Sequence, residues 1–177
     1  MKEITDKLAW KAQASAVSTF RYLGPAEIDF LLDKASVLSV DEGEAVVRER
    51  ETSPYFYAIL QGTVCVSVAE KSQEGEPKDV YICTLGPGDV FGEAGIFIKV
   101  RRTATVTAAE ETVVLRLHRD DISNFIRTQP AGGNKLLLVI IYSLLRKLRS
   151  TNQELAYERK DDINQDDVDS LLADMMG

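Results

Sequence analysis

Histidine is nearly missing from this 177-residue chain, with His118 standing alone. Metal centres built on imidazole, and catalysis with histidine as general base, therefore have almost nothing to use. Cysteine is scarce too. Cys65 and Cys83 each lie inside an apolar, strand-like run, which predicts packed free thiols in a reducing cytoplasm rather than a disulfide. No apolar run approaches the about 20 residues that a membrane helix requires. The longest, residues 136–142, gives way to charges. The opening M-K-E-I-T-D-K-L lacks the apolar core of a secretory signal. There is no excess of basic charge: 21 Lys and Arg stand against 28 Asp and Glu, for a net charge of −7. That balance argues against nucleic acid and against anionic membrane as partners. Neither a nucleophile beside a base nor a pair of catalytic carboxylates can be picked out. The expectation is a cytoplasmic binding protein, not an enzyme, with no metal and no cofactor.

What is present changes character along the chain. Residues 1–34 have helix-forming composition. One helix is expected over 4–22, and a second from Pro25, a favoured first-turn residue, to Lys34. From Ala35 the apolar period becomes two. Short strands are expected at 35–40, 44–50, 55–61, 63–69, 79–85, around Val90, at 104–108 and at 112–117. They are divided by turn signals such as Asp41-Glu42-Gly43 and Gly86-Pro87-Gly88-Asp89. About eight short strands at even spacing mark a sandwich or barrel. Residues 119–128 read as a short helix and Ala131-Gly132-Gly133 as a joint. Residues 134–160 read as one long helix with apolar positions at helical spacing. The fold class is mainly β with flanking helices.

The chain is organised around residues 91–106, F-G-E-A-G-I-F-I-K-V-R-R-T-A-T-V. Glycine lets backbone approach a ligand closely. A short helical turn at Ala94 offers free N–H groups to phosphate. A guanidinium matches phosphate oxygens two at a time, and the hydroxyl of Thr103 adds a donor. Glu93 is the informative residue. A carboxylate repels bare phosphate, so such a site must also hold hydroxyls, and a phosphorylated sugar carries both. Taken alone, the same residues also fit a turn followed by a solvated arginine pair.

The stretch resembles the phosphate-binding cassette of cyclic nucleotide-binding domains, as in catabolite activator proteins, cyclic-nucleotide-dependent kinases and gated channels. That cassette runs roughly F-G-E, small or apolar residues, a short turn, then R-[AST]-A-x-V. The resemblance implies a β-roll, or jelly-roll barrel, over residues 35–130. It puts Glu93 on the ribose and Arg102, rather than its neighbour Arg101, on the phosphate. Thr103 takes the hydroxyl position, and Gly92 and Ala104 offer backbone N–H groups. Ala94 departs from the family, which prefers a larger aliphatic residue there. The implied ligand is a cyclic nucleotide, with cAMP favoured over cGMP. A metal-dependent cupin barrel is disfavoured by the single histidine.

The last segments suggest an output. The helix 131–160 is apolar nearly all round in its first half, and Leu148 and Leu155 stand one heptad apart, which suits a homodimer. Residues 161–177 restart as an acidic amphipathic helix. Residues 163–176 resemble the segment of bacterial flagellar switch proteins that docks on a response-regulator receiver. No helix-turn-helix follows, so a complete catabolite-activator-type transcription factor is not expected. The leading reading is a sensor that couples ligand binding to movement of the C-terminal helix. The alternative is a protein-interaction scaffold with a vestigial pocket and a partner-docking C-terminal helix.

Overall fold

A computed structural model describes residues 1–71, 77–98 and 100–161. The tail helix expected over 161–177 lies outside the described residues, apart from Asp161. By internal contacts the chain divides into two units, Met1–Ile140 and Ile141–Gly177.

The first unit is a β-roll of two antiparallel sheets with helices. Its strands are β1 (Lys2–Ile4), β2 (Ser36–Val40), β3 (Ala45–Val47), β4 (Tyr55–Gln61), β5 (Val64–Lys71), β6 (Pro77–Leu85), β7 (Val90–Phe91), β8 (Thr105–Ala108) and β9 (Thr112–His118). One sheet has the order β1-β2-β9-β4-β7 and the other β3-β8-β5-β6. Alternation in the strands decides what lies between the sheets. Leu38, Val40, Tyr57, Ile59, Phe91 and Val114 of the first sheet meet Val46, Val47, Val64, Val106 and Ala108 of the second in one buried cluster. The opposite face of β4 and β9 is apolar as well. Phe56, Ala58, Leu115 and Leu117 are fully buried there, so this sheet needs a second cover.

Helices supply it. They are α1 (Lys11–Ala16), α2 (Pro25–Lys34), α3 (Ala94–Phe97), α4 (Arg119–Thr128) and α5 (Pro130–Asp161). Phe20, just beyond α1, rests on Phe56 with ring centroids 6.1 Å apart. Phe30 of α2 meets Phe125 of α4 at 5.7 Å. Helix α2 begins with Pro25, and the Glu27 side chain accepts a 2.6 Å hydrogen bond from the Gly24 N–H, closing its first turn.

Two expectations from the sequence are corrected. The long N-terminal helix over 4–22 does not form. Lys2–Ile4 instead pairs antiparallel with β2, because that strand would otherwise be an open sheet edge. Helix α1 stops at Ala16, and the chain then turns repeatedly through hydrogen bonds from Phe20 N to Val17 O and from Leu23 N to Phe20 O. Burying Val17, Phe20 and Leu23 together requires those turns. The second correction concerns the joint at Ala131-Gly132-Gly133. These residues are helical and form the opening turn of α5. The reason is close packing. A β-carbon on Gly132 would stand 2.4 Å from Glu27 Oε1, and one on Gly133 would stand 2.7 Å from Ile126 Cα. Glycine here admits α2 and α4 rather than breaking the helix.

The second unit contains the rest of α5. Its Ile141, Tyr142, Leu145 and Leu148 are exposed.

Candidate functional site

Strand β7 ends at Phe91, and the chain turns sharply there. Gly92 has φ +82°, a conformation that glycine adopts without strain. The turn sets Glu93 at the start of α3, where the Gly95 N–H donates to Gly92 O and the Ile96 N–H to Glu93 O, each at 3.1 Å. Glu93 is buried, with 5% of its surface exposed. Ala94 is exposed and opens the four-residue helix.

The other side of the site arrives just before β8. The Arg102 N–H donates to Glu51 O and the Arg50 N–H to Arg102 O, each at 2.8 Å, which ties this segment to the loop before β4. The two consecutive arginines then part. Arg101 is exposed and forms an isolated bridge with Thr52. Arg102 is half-buried and turns inward. Its Nη2 donates to the Tyr55 carbonyl and, at 3.0 Å, to the Ser53 hydroxyl. Its Cζ lies 5.9 Å from the centre of the Tyr57 ring, and Tyr57 stacks on Phe91 with centroids 5.0 Å apart and planes 7° from parallel. Thr103 is exposed and Ala104 half-buried.

Gly92 and Gly95 are what let the guanidinium in. A β-carbon on Gly92 would lie 2.5 Å from Arg102 Nη1 and 2.9 Å from the Tyr55 carbonyl oxygen, and one on Gly95 would lie 3.6 Å from Nη1. One turn thus brings Gly92 and Gly95 against Arg102, with the charge of Glu93 acting on it.

Charge matters because the group is partly dry. Burial pushes the Arg102 guanidinium below its usual range, while Tyr57, Glu93 and Glu51 draw it back up. Arg102 Nε is buried with no hydrogen-bond partner among the described residues. A buried charge with a spare donor is costly unless an acceptor completes it. Burial also raises the Tyr57 phenol above its usual range. Arg102, Arg116 and a hydrogen bond from Ser53 oppose that rise. Arg116 is a second inward-facing cation of the roll, stacked 4.6 Å over the Tyr55 ring, with His118 edge-on to the same ring at 5.2 Å. Among the described residues no group of His, Cys, Asp and Glu is placed to hold a metal ion.

The sequence gives no reason to single out Ser53, Tyr55 or Tyr57. They lie more than 40 residues before Arg102 and read as a chain break and an ordinary strand. The one available signal was the alternation Tyr55-Phe56-Tyr57, which puts two aromatic rings on the same inward face.

An anion-seeking arginine folded against a Gly-Glu turn in a β-roll narrows the choice of family, and comparison decides it. Residues 37–129 match the family described as cyclic nucleotide-binding domain. The chain belongs to that family. A CRP-like cAMP-activated global transcriptional regulator of Mycobacterium tuberculosis is 29% identical over 137 residues, covering 77% of this chain and 58% of the relative. The cyclic AMP receptor protein of Thermus thermophilus is 27% identical over 136 residues, covering 77% and 59%. The chain therefore spans less than two thirds of the length of these curated relatives. Among solved structures, the catabolite activator protein of Thermus thermophilus superposes with a TM-score of 0.66 at 25% identity, over 80% of this chain and 63% of the other. A cyclic nucleotide-binding domain from Methylobacillus flagellatus reaches 0.72 at 20% identity, over 86% and 85%, and shares the fold. No described helix is long and apolar enough to cross a membrane.

Proposed function

We propose that this chain is a cytoplasmic cyclic nucleotide sensor, with cAMP as its ligand, that binds the nucleotide without transforming it. Arg102 and the Thr103 hydroxyl take the cyclic phosphate, helped by the backbone N–H groups of Gly92, Ala94 and Ala104. Glu93 accepts a hydrogen bond from the ribose 2′-OH. The observation that carries this reading is a half-buried guanidinium whose Nε has no hydrogen-bond partner among the described residues, with the charge of the buried Glu93 acting on it. A cyclic nucleotide carries an anion for that donor and a ribose hydroxyl that a carboxylate can accept from. The choice of cAMP rests on relatives that are themselves described as cAMP-activated or as a cyclic AMP receptor.

Occupancy is proposed to favour one placement of α5, which requires a ligand with different affinity for the two placements. A second copy of the chain is the proposed partner of α5, whose Ile141, Leu145 and Leu148 are apolar, exposed and spaced as one helical stripe.

Calorimetric titration with cAMP and with cGMP tests the ligand. Saturable heat with cAMP, weaker with cGMP and lost in Arg102→Ala, supports the reading. No heat and no melting shift at millimolar concentrations of either nucleotide overturns it.

A further inference from the structure

The ligand-seeking arginine is itself held, and what holds it comes from a loop outside the glycine-glutamate turn. Two acceptors, the Tyr55 carbonyl and the Ser53 hydroxyl, take hydrogen bonds from the same atom, Arg102 Nη2. An arginine Nη carries two N–H donors, so both are spent. Nε and Nη1 point to different sides of the group, so one anion meets only one of them, and Nε is buried without a partner among the described residues. The remaining contacts fix the plane of the group. The Tyr57 ring lies 5.9 Å from Cζ, and the Gly92 backbone presses on Nη1.

We propose that Ser53 is a positioning residue for the nucleotide's phosphate. It aims the Arg102 guanidinium by engaging Nη2 and so leaves Nε–H as the donor aimed at the anion. The inference rests on the proposal that Arg102 binds the phosphate. It adds that orientation, not charge alone, sets the affinity, and that the orienting group is a serine 49 positions earlier in the chain. Tyr55 contributes through its backbone and tolerates any side chain in this respect. Ser53 contributes through one oxygen, so this half of the clamp depends on sequence. A guanidinium freed from Ser53 keeps its charge but samples other rotations about its bonds, and each bound contact then costs more ordering entropy.

Two measurements on the full chain separate this from the ligand assignment. The first needs no ligand. Nitrogen-15 NMR of the arginine side chains reads rotation about the Arg102 Cζ–Nη2 bond. Slow rotation in the wild type, fast rotation in Ser53→Ala and slow rotation again in Ser53→Thr support the clamp. Equal rates in wild type and Ser53→Ala overturn it, whatever the protein binds. The second is calorimetry with cAMP. Ser53→Ala is expected to weaken binding about tenfold, the scale of one hydrogen bond to a charged group, while Ser53→Thr binds like the wild type. Unchanged or tighter binding by Ser53→Ala overturns the positioning role while leaving the ligand assignment intact. Wild-type protein that binds neither nucleotide overturns the ligand assignment, and with it the role of Ser53 toward phosphate. Thermal melts of both variants near the wild-type midpoint identify a change in binding as local.

Discussion

Gly92 and Arg102 share one space. A β-carbon on the glycine would stand 2.5 Å from the arginine Nη1, closer than any real β-carbon comes to a heavy atom. Gly92 also sits at φ +82°, so alanine there meets two penalties. The left-handed backbone alone costs about 1–2 kcal/mol, and the guanidinium must leave its acceptors. Gly92→Ala is therefore expected to lower the melting midpoint and to reduce cyclic nucleotide affinity at least as much as Ser53→Ala does. Differential scanning calorimetry and nucleotide titration of the same sample check both effects.

Glu93 carries the sugar half of the proposal. Glu93→Gln keeps the size of the side chain and an acceptor oxygen but removes the charge. A charge-assisted hydrogen bond is worth about 1.5–3 kcal/mol against about 1 kcal/mol for a neutral one. Glu93→Gln is expected to weaken cAMP binding roughly tenfold on that difference. The 2′-deoxy form of cAMP should lose affinity against the wild type but little further against Glu93→Gln. Equal losses for the deoxy ligand in both proteins would detach Glu93 from the ribose.

Tyr57 makes stability sensitive to alkaline pH. Burial raises its folded pKa above the usual value of about 10. Above that pH the unfolded chain gives up the phenolic proton while the folded chain keeps it. The unfolded state then binds fewer protons, so stability declines as pH rises from about 10 through the folded pKa. Below about pH 10 this contribution is complete. Urea midpoints at pH 9 and pH 11 should fall further for the wild type than for Tyr57→Phe, which has no phenol to ionise.

Gly132 offers a test by coupling. In an open helix, alanine is favoured over glycine by about 1 kcal/mol. Here the new methyl would meet Glu27 Oε1 at 2.4 Å and Phe125 Cζ at 3.0 Å, and Glu27 is engaged by the Gly24 N–H. Gly132→Ala is expected to destabilise the wild type, and to do so less in a Glu27→Ala background. A double-mutant cycle by urea denaturation measures the coupling. Additive changes would mean that the two positions do not touch.

Exposed apolar residues on the later part of α5 give a further expectation. Leu145 and Leu148 are 59% and 58% exposed. Replacing both with aspartate should leave the melt of the roll unchanged and convert a dimer to a monomer in sedimentation. A wild-type monomer at all concentrations would remove the second copy as partner.

A sandwich or barrel was legible because strands of period two are cut by Gly-Pro-Asp turns, and the β-roll itself followed from the resemblance of residues 91–106 to the family's cassette. Helix α2 was legible from Pro25 to Lys34 because its punctuation is local. The N-terminal segment was not, because whether Lys2–Ile4 joins a sheet depends on an edge made by β2. The glycines before Asn134 misled for a related reason. Their role depends on how closely α2 and α4 approach, and spacing along a chain does not encode distance across it. At the site, the choice of Arg102 over Arg101 followed from the family's cassette, and the structure turns Arg102 inward and leaves Arg101 exposed. Ser53 and the Tyr55 carbonyl could not be read from sequence, since one acts through a hydroxyl in an unremarkable loop and the other through a backbone atom that every residue possesses.

The glycine pair that opens α5 has one more consequence. Glycine has a weak preference for helix, so the first turn of α5 owes part of its stability to the neighbours packed against it. Its integrity is on loan from Glu27 and Ile126. Where α2 or α4 loosens, that glycine turn is expected to fray before the rest of the helix.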